Sequence, residues 1–472
     1  MSKSGTANNA SPEAESKLKN GILERWRHVV KQKGSLPAVL TPDGASARTF
    51  DGIEAEAHEI AAVIGTLAPG SIVSLQAGNV AAWPAMVLGI WKAGAGVVLL
   101  DHTLGEGTRD AAEKCCGAVL RLQHDGTGLS KTSLDNAPAS FPAVGPDLIK
   151  LTSGTSGAPR AILFTAEQLL ADCDQICEAM GIGEMDLNYG VVAFSHSYGF
   201  SNLITPLLCR GVGLVAAQDA LPRAIASGIA ASGATVLPAV PAVFHALSGV
   251  EGALPGLRLC ISAGAPLRVE TADAFRARFG LKVHTFYGAS ECGGIAYDGT
   301  EEAISLPGFV GSAMPGVRIE VSPDGACSVR SAAVGTSYFP AESEELGGGE
   351  FRPADLLQKL PEGWQITGRR SDVINVGGKK ASPSEIEAVL ISHPGVSEAA
   401  VFGVGNSART EAVCACVVAH EGTDLAGLKA WCSERLPAWQ VPRAIARVEA
   451  IPVNARGKIS RPELAARFAD LA

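Results

Sequence analysis

Leu151-Thr152-Ser153-Gly154-Thr155-Ser156-Gly157-Ala158-Pro159-Arg160 packs four hydroxyls, two glycines and one cation into residues 152–160. The apolar run Leu148–Leu151 leads into this loop and Ala161–Phe164 leads out of it, so the loop joins two strands. Thr165 and Gln168 then spell the cap of a helix. Glycines let backbone N–H groups approach a ligand, hydroxyls add donors and Arg160 adds charge, a combination suited to a polyphosphate. The Gly-x4-Gly-Lys spacing of a Walker loop is not there. The same residue types also build ordinary turns, and the segment alone leaves both readings open.

Outward from this loop, apolar runs alternate with amphipathic stretches over the first 300 residues: Ser71–Leu75, Gly96–Leu100, Gly190–Phe194, Thr235–Leu237, Leu257–Ser262 and Val283–Tyr287. That alternation predicts an α/β architecture with substantial parallel sheet. Residues 133–146 read as a Pro/Ala/Ser linker and 341–350 as an acidic, glycine-rich surface loop. After 367 the texture changes. Ser382-Pro383-Ser384-Glu385 reads as a capping box opening a helix to about Ser392. Strands at Val396–Val404 and Ala412–Val418 and a helix near Leu425–Leu436 complete a separate α+β unit. The expected organisation is a flexible arm over 1–20, a large core over 21–367, a hinge over 368–372 and a small mobile domain over 373–472.

Composition excludes several classes. A chain of 472 residues exceeds one ordinary domain. With 39 Lys+Arg against 48 Asp+Glu the formal charge is −9, so no net positive field attracts nucleic acid. Hydrophobic residues at 47% and charged residues at 18% argue against a disordered chain. The N-terminus has no signal-peptide core. Pro84 and Lys92 interrupt the apolar stretch 81–100, and Pro238, Pro241 and His245 interrupt 231–248, so no membrane span is expected. Eleven cysteines without a CxxC pair read as reduced, mostly core thiols of a cytoplasmic protein.

Three further clusters carry chemistry-bearing side chains, the first of them in two parts. Ser262-Ala263-Gly264-Ala265-Pro266-Leu267 and Thr285-Phe286-Tyr287-Gly288-Ala289-Ser290-Glu291 each close an apolar run. The second delivers an aromatic face, a hydroxyl and a carboxylate together, enough for a base ring, a phosphate and a metal, or else a hairpin with a surface Glu. Gly368–Lys380 and Asn454-Ala455-Arg456-Gly457-Lys458-Ile459-Ser460-Arg461 are basic turns. Taken in order, the four clusters resemble the core motifs of the adenylate-forming superfamily of acyl- and aryl-CoA synthetases, luciferases and peptide-synthetase adenylation domains. Leu88–Ala95, His196-Ser197-Tyr198-Gly199 and Gly308–Gly316 fit the same pattern.

The resemblance implies activation of a small-molecule carboxylic acid by Mg²⁺ and ATP to an acyl-adenylate, then transfer to a thiol. By resemblance, Thr152, Ser153, Gly154, Thr155, Ser156, Gly157 and Arg160 hold the β- and γ-phosphates, and Gly264, Ala265, Pro266 and Tyr287 sandwich adenine. Ser290 binds the α-phosphate and Glu291 the Mg²⁺. Asp355 and Arg369 hold the ribose. Lys458 bridges the carboxylate and the α-phosphate. A pivot at Ser371 exchanges Lys458 for Gly377, Gly378, Lys379 and Lys380, which meet the thiol donor.

Four positions depart from the family pattern. Arg160 replaces the usual Lys, and the next residue, Ala161, the usual Gly. Ser290 replaces Thr, and Ser371 replaces the hinge Asp or Lys. Phe194–Gly199 has no carboxylate for an amino group, which disfavours an α-amino acid. His196 resembles the aromatic gate of CoA synthetases, although a histidine satisfied in a loop is the simpler alternative. His196, Tyr198 and Gly288 are expected at an acid pocket suited to an apolar acyl or aryl group. Coenzyme A is the expected acceptor because Gly377–Pro383 is similar to the loop of CoA ligases; an acyl carrier protein acting in trans is the alternative. A non-catalytic nucleotide- or acyl-binding relative is the third reading.

Overall fold

The computed structural model describes residues 21–141, 145–153, 159–377, 379–407, 410–452 and 459–469. The chain forms two compact units. Among the described residues, the larger comprises those within 21–320, 328–352 and 360–364, and the smaller those within 321–327, 353–359 and 365–469.

In the larger unit, the most apolar runs become central strands. Ile72–Ala77 and Gly96–Leu100 are buried at every residue, as befits parallel strands covered on both faces. They pair with each other in parallel; Ala118–His124 extends the sheet on one side and Leu148–Ser153 on the other. The sheet becomes antiparallel at Pro159–Phe164 and again at Ser337–Phe339. A second sheet runs through Pro37–Leu40, Gly213–Ala216, Leu187–Gly190, Val236–Ala239, Leu259–Ser262 and Val283–Ala289 in parallel, and Gly293–Tyr297 and Phe309–Ala313 continue it antiparallel.

Local signals set the helix starts. Thr49 Oγ1 accepts the Gly52 N–H at 3.0 Å ahead of Phe50–Ile64, and Thr165 with Gln168 forms a capping box for Ala166–Met180. The apolar stretch near 81 is a core helix, Trp83–Lys92, buried from Trp83 to Trp91. Among the described residues no helix is long and apolar enough to cross a membrane. All eleven cysteines are free thiols, and all but Cys115 are buried.

The carboxyl ends of the parallel strands are tied together across the two sheets. Asn79, just past Ile72–Ala77, donates through Nδ2 to the carbonyls of Gly190 at 2.9 Å and Val192 at 3.0 Å, and its Oδ1 accepts the Phe194 N–H at 3.0 Å. The strand expected over Gly190–Phe194 is therefore Leu187–Gly190; Asn79 takes the backbone groups that a longer ladder would have used. Asp101, the first residue past Gly96–Leu100, lies 2.8 Å from His196 Nε2, and the His196 bond holds its carboxyl well below the usual range. The acidic loop over 341–350 also differs from expectation. Leu346–Gly347 and Glu350–Phe351 pair as two short antiparallel strands.

The smaller unit is built on the antiparallel pair Val396–Ser407 and Thr410–Ala419, with Ala444–Arg447 parallel to the second. Ile386, Leu390, Leu428 and Cys432, from the helices Pro383–Ile391 and Leu425–Ser433, pack with Val401, Val413 and Val417 in one core cluster. Phe402, Cys414 and Leu464, the last from Arg461–Arg467, form another. The capping box expected at 382–385 does not form: Ser382 Oγ donates to the Thr367 carbonyl at 3.3 Å, and Glu385 accepts from Gln440 Nε2 at 3.0 Å. Proline at the first helical position still starts the helix there. Arg461 fastens the last helix through Asp372 at 2.6 Å, Glu387 at 2.8 Å and the Val401 carbonyl at 2.9 Å.

Arg461→Met is expected to destabilise the smaller unit by about 1.5–3 kcal/mol, because it strands charged groups that are largely out of water; thermal unfolding followed by calorimetry measures it. Asp101 has its pKa depressed by folding, so it contributes stability above its unfolded value near about 3.9 and loses it as pH falls further. The stability gap between wild type and Asp101→Asn should shrink below about pH 4. A gap that stays constant from neutral to acid pH in denaturant titrations would contradict this.

Candidate active site

Four expected site segments lie at strand ends of the larger unit, which is where open α/β sheets bind ligands. Leu148–Ser153 and Pro159–Phe164 form an antiparallel hairpin in which Thr152 pairs with Arg160 and Lys150 with Ile162. Gly154, Thr155, Ser156 and Gly157 lie outside the described residues. Ser262 and Thr285 are opposite each other on adjacent parallel strands, so Gly264 and Tyr287, each two residues further on, emerge at one level. Gly264 takes a left-handed φ of +85° and, with Ala265 and Pro266, lies exposed, whereas Tyr287 is buried. Gly288 opens the turn before Ser290 and Glu291. A Cβ there would stand 2.7 Å from the Gly293 carbonyl oxygen, too close for any side chain.

Glu291 leaves this turn half-buried and accepts a hydrogen bond from the Tyr338 hydroxyl at 3.0 Å. It is not the exposed hairpin Glu of the alternative reading. Burial pushes its pKa above the usual carboxylate range, a shift opposed by Tyr338, Arg160 and Lys150. Antiparallel neighbours share a face, and the registers place Lys150, Ile162 and Tyr338 in one cross-strand row and Thr152 and Arg160 in the next. Arg160 lies flat on the Tyr338 ring, 3.3 Å from its centroid, and also faces Glu345 at 3.8 Å. A planar guanidinium can stack in this way and a lysine ammonium cannot, which accounts physically for the departure from Lys.

The segment His196–Gly199 faces the hairpin. His196 has a largely exposed side chain beside Asp101, and Ser197 Oγ accepts from Lys150 Nζ at 3.0 Å. The Tyr198 hydroxyl donates to the Ile261 carbonyl at 2.9 Å, with its ring 6.0 Å from that of Phe286. Lys150 is buried, its ammonium 4.5 Å from the Phe164 ring centroid; desolvation lowers its pKa, while Asp172, Cys292 and Glu291 act in the opposite direction.

Asp355 and Arg369, in the smaller unit, are ion-paired at 2.6 Å. Lys379 and Lys380 are exposed on a strand paired with Ile374–Val376, and Gly377 enters the connecting turn at a φ of +58°. Lys379 also stands 5.5 Å from the Trp439 ring centroid. Ser371 falls in a short helical turn, Arg370–Asp372. Lys458 and Gly378 lie outside the described residues.

Sequence reasoning passed over Asn79, Asp101, Lys150 and Tyr338. The first two immediately follow strands ending at the ligand-binding edge, and Lys150 interrupts an apolar run; these were usable signals. Tyr338 has none, because its partners are distant in sequence. Among the described residues no group of three or more His, Cys, Asp or Glu is arranged to hold a metal by itself.

Residues 146–336 match the AMP-binding enzyme family, and residues 385–458 match the AMP-binding enzyme C-terminal domain. The sulfoacetate–CoA ligase of Cupriavidus necator is 27% identical, over 91% of this chain and 94% of its own length. An L-proline–[L-prolyl-carrier protein] ligase of Pseudomonas fluorescens is 27% identical, over 68% of this chain and 69% of its own. ATP-bound MatB from Rhodopseudomonas palustris has the same fold, with a TM-score of 0.81 at 22% identity over 95% of this chain and 99% of its own. The two family segments occur in order on a chain whose hairpin and strand-end turns carry the matching motifs, and the chain belongs to the adenylate-forming superfamily of AMP-binding enzymes.

Proposed function

We propose that this enzyme is an AMP-forming acid–thiol ligase that joins a carboxylic acid to coenzyme A. The observation that carries the reading is the shared hairpin face: Tyr338 is bonded to the Glu291 carboxylate, Arg160 and Lys150 act on its charge, and Thr152 lies in the same row as Arg160. In the first half-reaction a carboxylate oxygen of the acid attacks the α-phosphorus of ATP, and the bond to pyrophosphate breaks. Two anions must approach, so cations and oriented donors have to be in place beforehand. Arg160, Thr152 and the loop over 153–157 are assigned to the β- and γ-phosphates, and Ser290 to the α-phosphate. Tyr287 and Gly264–Pro266 are assigned to adenine, Asp355 and Arg369 to the ribose, and Lys458 to the carboxylate and α-phosphate.

Glu291 is assigned to Mg²⁺. One carboxylate, with no group of three or more His, Cys, Asp or Glu arranged as a metal cage among the described residues, suits an ion that keeps several waters and binds mainly through substrate phosphates. When bound, Mg²⁺ supplies positive charge to the phosphates. In the second half-reaction the thiol sulfur attacks the acyl carbon, AMP leaves with the electrons of the broken bond, and the thiol proton is lost. The exposed Lys379 and Lys380 are assigned to the phosphates of coenzyme A. Tyr198 and His196, with the turn at Gly288, are assigned to the acid pocket. The carrier-protein ligase among the relatives keeps a protein-bound phosphopantetheine thiol as the competing acceptor.

Mass spectrometry after incubation with Mg²⁺, ATP and pooled aliphatic and aromatic acids, with and without coenzyme A, tests the reading. An acyl-CoA product is expected. Acyl-adenylate without acyl-CoA would move the acceptor to a carrier protein, and no adenylate from any acid would favour a binding protein over a ligase. Lys458→Ala is expected to cut adenylation by about 10²–10³, the typical cost of removing one preorganised charge donor, while equilibrium dialysis shows ATP still bound.

A further inference from the structure

We propose that Tyr338 is a positioning residue that holds Glu291 and Arg160 in separate working orientations, one for the metal and one for the phosphates. This rests on the roles proposed above for those two side chains and adds a third residue that no motif marks. Tyr338 is 4% exposed. Its strand, Ser337–Phe339, pairs with Pro159–Phe164, so its position is fixed relative to Arg160 by backbone hydrogen bonds. The backbone on the other side is fixed as well: the Gly335 N–H donates to the Glu291 carbonyl at 2.8 Å, and the Thr336 N–H donates to the Leu163 carbonyl at 2.8 Å. The phenol thus meets both partners with little freedom, its hydroxyl donating to Glu291 Oε1 and its ring face covered by the Arg160 guanidinium.

The chemical need for such a spacer follows from what Arg and Glu do together when water is scarce. A guanidinium and a carboxylate in reach of each other form a bidentate pair, and each then loses the geometry required for a phosphate or a metal ion. Tyr338 offers each a different surface. The hydroxyl satisfies one carboxylate oxygen with a neutral donor, and the ring engages the guanidinium without consuming its N–H groups, which lie around the edge of the cation. Arg160, whose nearest carboxylate is then Glu345 at 3.8 Å, keeps donors for phosphate, and Glu291 keeps acceptor capacity for a cation. Tyr338 itself touches neither reacting atom, so its effect is transmitted through these two side chains.

The test uses the full-length protein and measures ATP binding by calorimetry, first without divalent metal and then across a Mg²⁺ titration, for wild type, Tyr338→Phe, Tyr338→Leu, Glu291→Ala and Tyr338→Phe/Glu291→Ala. Tyr338→Phe keeps the ring, so metal-free ATP affinity should stay within about twofold, while the half-saturating Mg²⁺ concentration rises about tenfold, as expected for loss of a hydrogen bond to a charged group. Tyr338→Leu should show the same Mg²⁺ shift and also weaken metal-free ATP binding about threefold through loss of the stack. The double variant should shift no further than Glu291→Ala alone. A Tyr338→Phe variant with a lowered melting temperature but an unmoved Mg²⁺ curve, alongside a shifted Glu291→Ala curve, would make Tyr338 a packing residue and overturn the inference. An unmoved curve in Glu291→Ala would overturn the metal assignment on which it rests.

Discussion

A carboxylate withdrawn from water needs a donor or a cation, and Glu291 organises its surroundings around that need. Burial raises the cost of its charge. The nearby groups that offset the cost are Tyr338 through its hydroxyl, Arg160 behind the phenol ring, and Lys150 beyond. All three come from the antiparallel end of one sheet. Its registers put Lys150 and Tyr338 in one row across Ile162 and Arg160 in the next. The hairpin that presents the glycine-rich loop is therefore also the platform that makes a half-buried acid tolerable. The two tasks share residues because both require positive potential at one place.

The same economy appears at the parallel ends of the sheets. Asn79 and Asp101 leave the two buried central strands and reach the segment 190–196, which carries His196 into place. These bonds replace a ladder that would otherwise have lengthened Leu187–Gly190. The strand stops early and its next residues become a loop aimed along the ligand-binding edge. Shortening the strand is what frees His196, Ser197 and Tyr198 to project there rather than alternate across a sheet. Lys150, bonded to Ser197, then joins this loop to the phosphate hairpin.

What the sequence revealed and what it hid divide along the same line. The central strands were readable because burial on both faces writes an unbroken apolar run. The Thr165–Gln168 cap was readable because both partners lie within one turn. The phosphate loop and the Tyr287–Glu291 turn were readable because their chemistry is contiguous. The end of the strand at Gly190 was not, since the residue that stops it is more than a hundred positions away. The box at Ser382 and Glu385 satisfied the local pattern and still did not form. Thr367 and Gln440 took the two side chains, and proline sufficed to start the helix. Tyr338 sat in an undistinguished Ser337-Tyr338-Phe339 run, and only strand pairing brings it to Arg160.

Arg160 shows why a departure from a family pattern has to be weighed with its neighbours. Taken alone, arginine for lysine keeps the charge and alters the shape, which leaves its consequence open. On the Tyr338 ring the altered shape is what is used: the flat cation is held by its face and keeps its N–H edge for hydrogen bonds. A lysine at 160 would retain a point charge but lose the planar contact that fixes direction. The phenol would then hold Glu291 alone, and the phosphate-binding charge would depend on a flexible four-carbon stem. The substitution is better understood as one half of an aromatic–guanidinium pair than as an erosion of the loop, and the polarity of the site survives it intact.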